Sequence, residues 1–234
     1  MTALPAPSWP PRWKRVLVVV AHPDDESFAL GAVLDRFVEE GAEVAMLCLT
    51  RGEASTLGAD GGDLAAVRAD ELAAAGEVLG LASTTALSHP DGGLADVDPT
   101  VLASDVDRMV ELSRPDGILV FDPVAGVTGH PDHAAASLAA IAAGERRGLP
   151  VLGWALPHAV ADALNAEYGA AFVGHPPDEL LEVAVDRRRQ RTAIACHASQ
   201  AVPGSVLWRR LDLLGDREYL RVPTTPTPTP GEPL

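Results

Sequence analysis

The stretch RVLVVVAHPDDE, residues 15–26, decides the fold, because in it an unbroken apolar run ends directly at a cluster of polar residues. A short, β-branched, all-apolar run is typical of a strand buried on both faces of a parallel sheet. In such sheets, ligands bind at the carboxyl ends of the strands. The polar residues from His22 to Glu26 immediately follow the run, so we expect a functional site there.

Outward from this stretch, strand and helix patterns alternate along the chain. This βαβα rhythm predicts an α/β, Rossmann-like single domain with a mostly parallel sheet and helices on both faces. Further strands are predicted at residues 44–49, 84–87, 117–121 and 151–156, and helices at residues 27–40, 64–79, 101–112 and 134–143.

The two ends of the chain differ in composition from the predicted domain between them, residues 14–222. Residues 1–13 are rich in proline, and residues 223–234 alternate proline with threonine. Such compositions favour an extended, solvated chain without a core, so we expect the last segment to be disordered. Neither end is expected to take part in catalysis.

Composition and charge exclude several classes of protein. The formal charge of −15 offers no basic surface for nucleic acid. No segment reaches the roughly 18 apolar residues of a membrane helix, and residues 1–13 lack the apolar core of a signal peptide. The two cysteines do not make a disulfide framework. We therefore expect a cytoplasmic enzyme that binds neither nucleic acid nor a membrane, and the sequence leaves a homo-oligomer open.

A second polar motif, GHPDH at residues 129–133, follows the predicted strand that ends at Phe121. Like the first motif, it places histidine and carboxylate around a proline, whose fixed φ stiffens the turn. Catalytic zinc commonly takes three protein ligands from His, Asp and Glu and keeps one position open. His22, Asp25 and His133 can supply these ligands if the two strands are neighbours. Ferrous iron accepts the same donor set.

Each motif alone has a simpler interpretation, as a turn whose aspartate caps a helix or complements the helix dipole. Their occurrence at two separate strand ends favours the metal site. Asp24 cannot easily bind the same ion as its neighbour Asp25 with similar geometry. Asp24 is better placed to act as a general base that accepts a proton from the attacking water.

The two motifs together, residues 21–26 and 129–133, resemble those of the LmbE/PIG-L-type N-deacetylases. The resemblance covers roughly residues 14–202. That family includes deacetylases of N-acetylglucosaminyl lipids, of thiol cofactors and of glycopeptide antibiotics. The resemblance therefore implies a zinc-dependent enzyme that removes an acyl group from an amino sugar.

The resemblance also implies a role for each polar residue of the two motifs. The implied zinc ligands are His22, Asp25 and His133, and Asp24 is the implied general base. By the same resemblance, His130 assists at the developing oxyanion or as an acid, and Asp132 orients His130.

Two further stretches resemble parts of the family that lie near the substrate. Arg68 lies on a predicted helix like the one from which an arginine of the family reaches towards substrate. Residues 195–200 resemble a late His-x-Ser-Gln segment, which makes His197 and Gln200 candidates for substrate binding. From the residues alone, simpler roles remain open for all three. Arg68 can be a surface charge, His197 a packed or capping histidine, and Gln200 a helix cap. Thr128 stands where the mycothiol-pathway members carry a tyrosine.

The sequence thus predicts a metal-dependent hydrolase that removes an N-acetyl or other N-acyl group from an amino sugar or glycoconjugate. Two alternatives remain: a metal-dependent hydrolase of another acyl or carbamoyl substrate, and a non-catalytic zinc- or sugar-binding module. Residues 52–62 are expected to form a substrate loop. The basic run at residues 187–191 is expected to be a solvated helix face, with an anionic substrate contact as the alternative.

Overall fold

A computed structural model of the chain describes residues 11–57 and 62–223. Strands and helices alternate through most of these residues, as the sequence predicts. The strands are β1 (Arg15–Val20), β2 (Glu43–Thr50), β3 (Ser83–His89), β4 (Gly117–Phe121), β5 (Val151–Pro157), β6 (Gly174–His175), β7 (Leu181–Ala184) and β8 (Arg217–Arg221). The helices are α1 (Asp25–Phe28), α2 (Gly31–Glu39), α3 (Leu64–Leu79), α4 (Pro99–Ser113), α5 (Pro131–Arg147), α6 (His158–Tyr168), α7 (Arg188–Cys196) and α8 (Val206–Leu214).

The strands form one mostly parallel sheet in the order β3-β2-β1-β4-β5-β8-β7, with β6 pairing beside β5. The chain steps from β1 to one side through β2 and β3, and then returns to place β4 on the other side of β1. This reversal of strand order opens a crevice at the carboxyl ends of β1 and β4, where α/β sheets bind ligands. The predicted fold class is confirmed. The two strands that precede the polar motifs, β1 and β4, are neighbours.

Strand β1 is buried on both faces, as its apolar run predicts. Val16, Val18 and Val20 belong to the core on one face of the sheet. Leu17 and Val19 belong to the core on the opposite face. Because successive side chains of a strand point to opposite faces, a strand between two helical layers must be apolar at every position.

The predicted helix at 27–40 is divided into α1 and α2, and the side chain that packs at the break comes from a distant part of the sequence. The side-chain amide of Gln190 donates hydrogen bonds to the carbonyl oxygens of Ser27 and Phe28, at 3.0 and 3.3 Å. It also occupies the space beside Gly31, where an added Cβ would lie 2.9 Å from Gln190 Cγ. Gln190 thus fills the break and satisfies carbonyls that the interrupted helix leaves free.

Most of the two predicted tails lies outside the described residues. The structure describes residues 11–13 of the first tail and only Pro223 of the last. The Trp13 ring stacks on Phe37 with centroids 5.8 Å apart, so residue 13 packs against the core. The predicted disorder of residues 223–234 stays a prediction. Among the described residues, no helix combines the length and the apolar character needed to cross a membrane.

The basic run at residues 187–191 is not a uniformly solvated face. Arg187 is buried and pairs with Glu218, while its guanidinium also donates to the side chain of Gln190. Arg189 pairs with Asp35 at 2.9 Å. The run therefore ties α7 to the sheet and to α2, which a single sequence cannot reveal because these partners are distant along the chain.

Candidate active site

A cleft of about 730 Å³ opens where β1 and β4 end. Its polar side is formed by the residues that follow these strands and by the loops after β2 and β3. Its apolar side is formed by α1, by the segment before β6 and by α8. The polar lining comprises His22, Asp24, Asp25, Ser55, Arg68, Asp91, Thr128, His130, His133, Gln200 and Arg210.

The three predicted metal ligands converge at this cleft. His22 Nδ1 lies 3.1 Å from His133 Nε2. Asp25 Oδ1 lies 3.2 Å from His133 Nε2, and Asp25 Oδ2 lies 3.8 Å from His22 Nδ1. Tetrahedral ligands about 2.0–2.1 Å from zinc lie about 3.3 Å from one another. The donor set therefore fits a divalent cation in both chemistry and spacing.

The second nitrogen of each histidine ring has its own partner. His22 Nε2 lies 3.2 Å from Asp91 Oδ1 and 3.3 Å from Asp132 Oδ2. His133 Nδ1 lies 2.7 Å from the Thr128 hydroxyl. A proton held on the outer nitrogen leaves the inner one with a lone pair, which is how metal-binding histidines are usually oriented. Both rings are thus prepared to bind a cation.

The electrostatics of these ligands also favour a cation. Burial lowers the pKa of His22, but hydrogen bonds to Asp132 and Asp91 outweigh burial and raise this pKa to about 10. Burial raises the pKa of Asp25, and the His133 and His22 rings more than reverse this, so that it falls well below its usual range. The carboxylates around the two rings therefore create a negative field, which holds an extra proton on His22 and which a bound metal ion would satisfy in place of that proton.

The predicted general base, Asp24, is held in an unusual conformation. Its φ is +143°, which a residue with a side chain rarely adopts, and such strain is concentrated at functional sites. Arg68 Nη2 donates to Asp24 Oδ2 at 3.0 Å. Burial raises the pKa of Asp24 to about 7, against the opposing effect of Arg68. A carboxylate with a pKa near neutrality is suited to accept a proton at physiological pH.

Glu26 holds the backbone of Asp24 in place, a role that the sequence alone does not indicate. Glu26 Oε2 accepts a hydrogen bond from the backbone N–H of Asp24 at 3.0 Å. Glu26 Oε1 lies 2.6 Å from His197 Nε2. Both side chains are completely buried. The available signal was the third carboxylate of the AHPDDE motif, placed where a strand turns into a helix.

This geometry corrects the expectation that His197 binds substrate. A ring with no exposed surface cannot touch a molecule in the cleft, and His197 instead pairs with Glu26. Its histidine-serine-glutamine segment does reach the site, because Gln200 lines the cleft. Gln200 Oε1 accepts a hydrogen bond from Ser55 Oγ at 2.8 Å, which ties this segment to the predicted substrate loop. Residues 58–61 of that loop lie outside the described residues.

Arg68 is buried rather than a surface charge. Its guanidinium donates to the carbonyl oxygens of Gly52 and Pro23, at 2.7 and 2.6 Å, as well as to Asp24. The side chain also borders the cleft. Its direct contacts position the carboxylate of Asp24, and a contact with substrate stays a prediction.

His130 and Asp132 are both at the site, but not paired as expected. The backbone N–H of Asp132 donates to His130 Nδ1 at 3.2 Å, so His130 caps α5. The Asp132 carboxylate instead faces His22 and accepts the amides of Gly92 and Leu94, at 2.8 and 3.0 Å. Asp132 therefore orients His22 rather than His130, because the loop after β3 encloses its carboxylate.

The capping bond determines which nitrogen of His130 carries the proton. Because Nδ1 accepts a hydrogen bond, the neutral ring holds its proton on Nε2. Within the described part of the chain, Nε2 has no hydrogen-bond partner, and the ring borders the cleft. Burial, together with the charges of His22 and His133, lowers the pKa of His130. His130 is therefore a neutral donor that can reach a bound molecule.

Comparisons with known proteins show the family of the chain. The family model described as "PIG-L: GlcNAc-PI de-N-acetylase" matches residues 17–144. A 1D-myo-inositol 2-acetamido-2-deoxy-alpha-D-glucopyranoside deacetylase of Kineococcus radiotolerans is 33% identical, over 74% of this chain but only 61% of its own length. A deacetylase of the same name from Nakamurella multipartita is 30% identical, over 89% of this chain and 88% of its own. The diacetylchitobiose deacetylase of Thermococcus kodakarensis is 28% identical, over 80% of this chain and 70% of its own.

Solved structures share the fold. The deacetylase of the antimicrobial A40926 pseudoaglycone superimposes with a TM-score of 0.68 at 22% identity, covering 91% of this chain and 99% of its own. The N,N'-diacetylchitobiose deacetylase of Pyrococcus horikoshii gives a TM-score of 0.66 at 21% identity, covering 94% and 88%. At these identities the likeness concerns the fold alone.

Proposed function

The chain belongs to the PIG-L family of GlcNAc-PI de-N-acetylases, and we propose on this basis that it is a metal-dependent hydrolase that removes an N-acetyl group from an amino sugar or glucosaminyl compound. The observation that carries this proposal is the convergence of His22, Asp25 and His133 beside the Asp24 carboxylate. The names of the relatives, which are deacetylases of N-acetylated sugars, support the substrate class.

Zinc is the proposed metal, held by His22, Asp25 and His133, and ferrous iron is the alternative that this donor set also accepts. When bound, such an ion lowers the pKa of water towards about 7 and polarises the carbonyl of an amide. The outer contacts of the two rings, to Asp91, Asp132 and Thr128, hold them in place for this ion.

The chain's own residues carry the proton transfers. Asp24 accepts the proton of the attacking water, while Arg68 fixes the carboxylate in the cleft. His130 Nε2–H donates to the oxyanion that develops on the carbonyl oxygen, and one such donor is typically worth about 3–4 kcal/mol. Protonated Asp24 and His130 are the two groups that can then deliver a proton to the leaving amine.

The proposal is tested by measuring acetate released from methyl 2-acetamido-2-deoxy-α-D-glucopyranoside, with metal content determined on the same samples. Activity should disappear on chelation and return with zinc or ferrous iron. Asp24→Asn should keep the metal and lose activity by roughly 10²–10⁴-fold, the usual effect of removing a general base. His22→Ala should lose metal and activity together.

A suitable control is Asp162→Asn, which changes an exposed carboxylate on α6 and should leave activity and metal content unchanged. Full activity in Asp24→Asn at equal metal content would remove the general base from the proposal. Metal binding without hydrolysis of any N-acetylated sugar would favour the non-catalytic binding module instead.

A further inference from the structure

A buried arginine without an acidic partner borders the cleft. Arg210, on α8, is 6% exposed and contributes to the cleft lining. Its Nη2 donates to the carbonyl oxygen of Phe28, and its guanidinium lies 5.0 Å from the centre of the Trp154 ring. Its Nε is buried with no hydrogen-bond partner. Among the residues that the structure describes, no carboxylate forms an ion pair with it.

The carboxylate that could pair with Arg210 is already bound to other residues. Glu218 is the carboxylate with the strongest electrostatic effect on Arg210, but it is already committed. Its Oε1 accepts from Arg187, and its Oε2 accepts from Trp154 Nε1. Burial lowers the pKa of Arg210 to about 10, so the side chain remains a cation at neutral pH. A buried, unpaired cation is costly, and proteins normally keep one only where something pairs with it.

The surroundings of Arg210 strengthen any contact that it makes. The neighbouring lining is apolar and includes Phe28, Phe172, Val206 and Leu207. In such surroundings, the attraction between a guanidinium and an anion is much less screened than in water. A guanidinium also presents its N–H groups in a planar fork that matches carboxylate and phosphate oxygens.

Arg210 is also close enough to the catalytic centre to act on the same molecule. Asp24, Asp25 and Arg210 all line this cleft. The same cleft contains the predicted metal ligands and Arg210. A substrate whose acetamide lies against Asp24 can therefore extend its remaining part along the apolar side to Arg210.

We propose that Arg210 is a substrate-binding residue that recognises an anionic oxygen group, so that the preferred substrate is an N-acetylated amino sugar carrying a carboxylate or a phosphate. This inference rests on the proposed function, since it names the substrate class of the same cleft. It adds a specificity-determining residue that lies outside both sequence motifs.

The test compares three substrates with the metal-loaded full chain. They are the neutral methyl 2-acetamido-2-deoxy-α-D-glucopyranoside, the corresponding 1-phosphate and the corresponding carboxymethyl glycoside. Wild-type protein should hydrolyse at least one anionic substrate with a kcat/KM at least tenfold above that of the neutral one, and added salt should reduce this preference. The phosphate and carboxylate arms show which anion the cleft prefers.

Arg210→Gln should remove most of this preference, because the glutamine side chain carries no charge. The matched control is Arg209→Gln, the next residue on α8, whose guanidinium pairs with Glu167 outside the cleft. This control should keep the wild-type preference. If Arg210→Gln does not fold, Arg210→Met is the substitute, because its apolar side chain can still pack against Trp154.

A binding measurement separates this inference from the proposed function. Calorimetric titration with glucose 1-phosphate, which has no acetamide to hydrolyse, should show binding to wild type and Arg209→Gln and at least tenfold weaker binding to the Arg210 variant. Hydrolysis without anionic preference, or a preference that survives in the Arg210 variant, would overturn the inference and leave the deacetylase proposal standing. Arg210-dependent binding without hydrolysis of any substrate would overturn the deacetylase proposal and leave the anion-binding role of Arg210 standing.

Discussion

The backbone N–H of Asp24 donates a 3.0 Å hydrogen bond to the Glu26 carboxylate, two residues further along the chain. This bond closes the turn in which Asp24 adopts its positive φ. Because the other Glu26 oxygen is held by His197, the conformation of the proposed base depends on a contact between residues 171 positions apart in the sequence. The strain at Asp24 is thus supported by completely buried groups.

Replacement of Glu26 by glutamine is expected to slow the reaction without releasing the metal. An amide has one acceptor oxygen, so Glu26→Gln cannot serve both the Asp24 N–H and His197 as the carboxylate does. Loss of one such hydrogen bond, about 1–1.5 kcal/mol, corresponds to roughly a tenfold lower kcat. Steady-state kinetics and metal analysis check this, with the exposed Glu39→Gln as the control. Wild-type kcat in Glu26→Gln would show that Asp24 needs no such support.

Thr128 is expected to control metal affinity through His133. Thr128→Val removes the hydroxyl that lies 2.7 Å from His133 Nδ1, while keeping a similar shape. Loss of such an outer contact typically weakens metal binding by about 10–100-fold. Thr128→Ser keeps the hydroxyl and should bind zinc nearly as well as wild type. Competition with a chromophoric chelator measures both affinities, and equal affinities for the valine and serine variants would contradict the prediction.

The fold was predictable where burial leaves a continuous signal in the sequence. Strand β1 is apolar and buried from Val16 to Val20 because helices cover both faces, and the helix at 64–79 has the bounds that its spacing predicts. The short strand Arg217–Arg221 gives no such signal, because three of its five residues are charged. The break between α1 and α2 also could not be predicted, since the side chain that hydrogen-bonds to its free carbonyls, Gln190, is distant in the sequence.

The same distinction applies to the site. The convergence of His22, Asp25 and His133 was predictable because each follows a strand whose carboxyl end faces the cleft. The pairing of Glu26 with His197 joins residues 171 positions apart, and no spacing rule indicates it. Arg210 was missed for the same reason: only the fold shows that this arginine of α8 borders the cleft.

His175 is expected to make the stability of the protein depend on pH. Its Nε2 lies 3.3 Å from Asp122 Oδ1, and burial lowers the pKa of His175 below its usual value. As the pH falls below about 6.5, the unfolded chain takes up a proton that the folded ring resists, so the free energy of unfolding decreases. Above that pH the effect vanishes.

The change His175→Gln should remove this component. Its unfolding free energy should fall less steeply than that of wild type below pH 6.5, by up to about 1.4 kcal/mol per pH unit. Urea denaturation between pH 7.5 and pH 5.5 measures both slopes. The exposed His158→Gln serves as the control and should keep the wild-type slope. Identical slopes for wild type and His175→Gln would show that His175 titrates alike in both states.

Gly52 has no side chain, and this leaves room for the guanidinium of Arg68, which donates a hydrogen bond to Asp24. Gly52 and Gly148 have the same φ of +66°, but their surroundings differ. A Cβ on Gly52 would lie 2.2 Å from Arg68 Nη1, whereas a Cβ on Gly148 would have nothing within 4 Å. Both alanine variants should therefore lose about 1–2 kcal/mol of stability from the left-handed backbone, but only Gly52→Ala should displace Arg68.

Displacement of Arg68 removes its hydrogen bond to Asp24, a charge-assisted contact worth about 1.5–3 kcal/mol. Gly52→Ala should accordingly reduce kcat by roughly 10–100-fold, whereas Gly148→Ala should retain the wild-type kcat at a temperature where both variants are folded. Thermal unfolding and steady-state kinetics on the same samples separate the two effects. Equal kcat values in the two variants would mean that Asp24 works without Arg68, because the backbone strain is common to both and only the contact with the guanidinium differs.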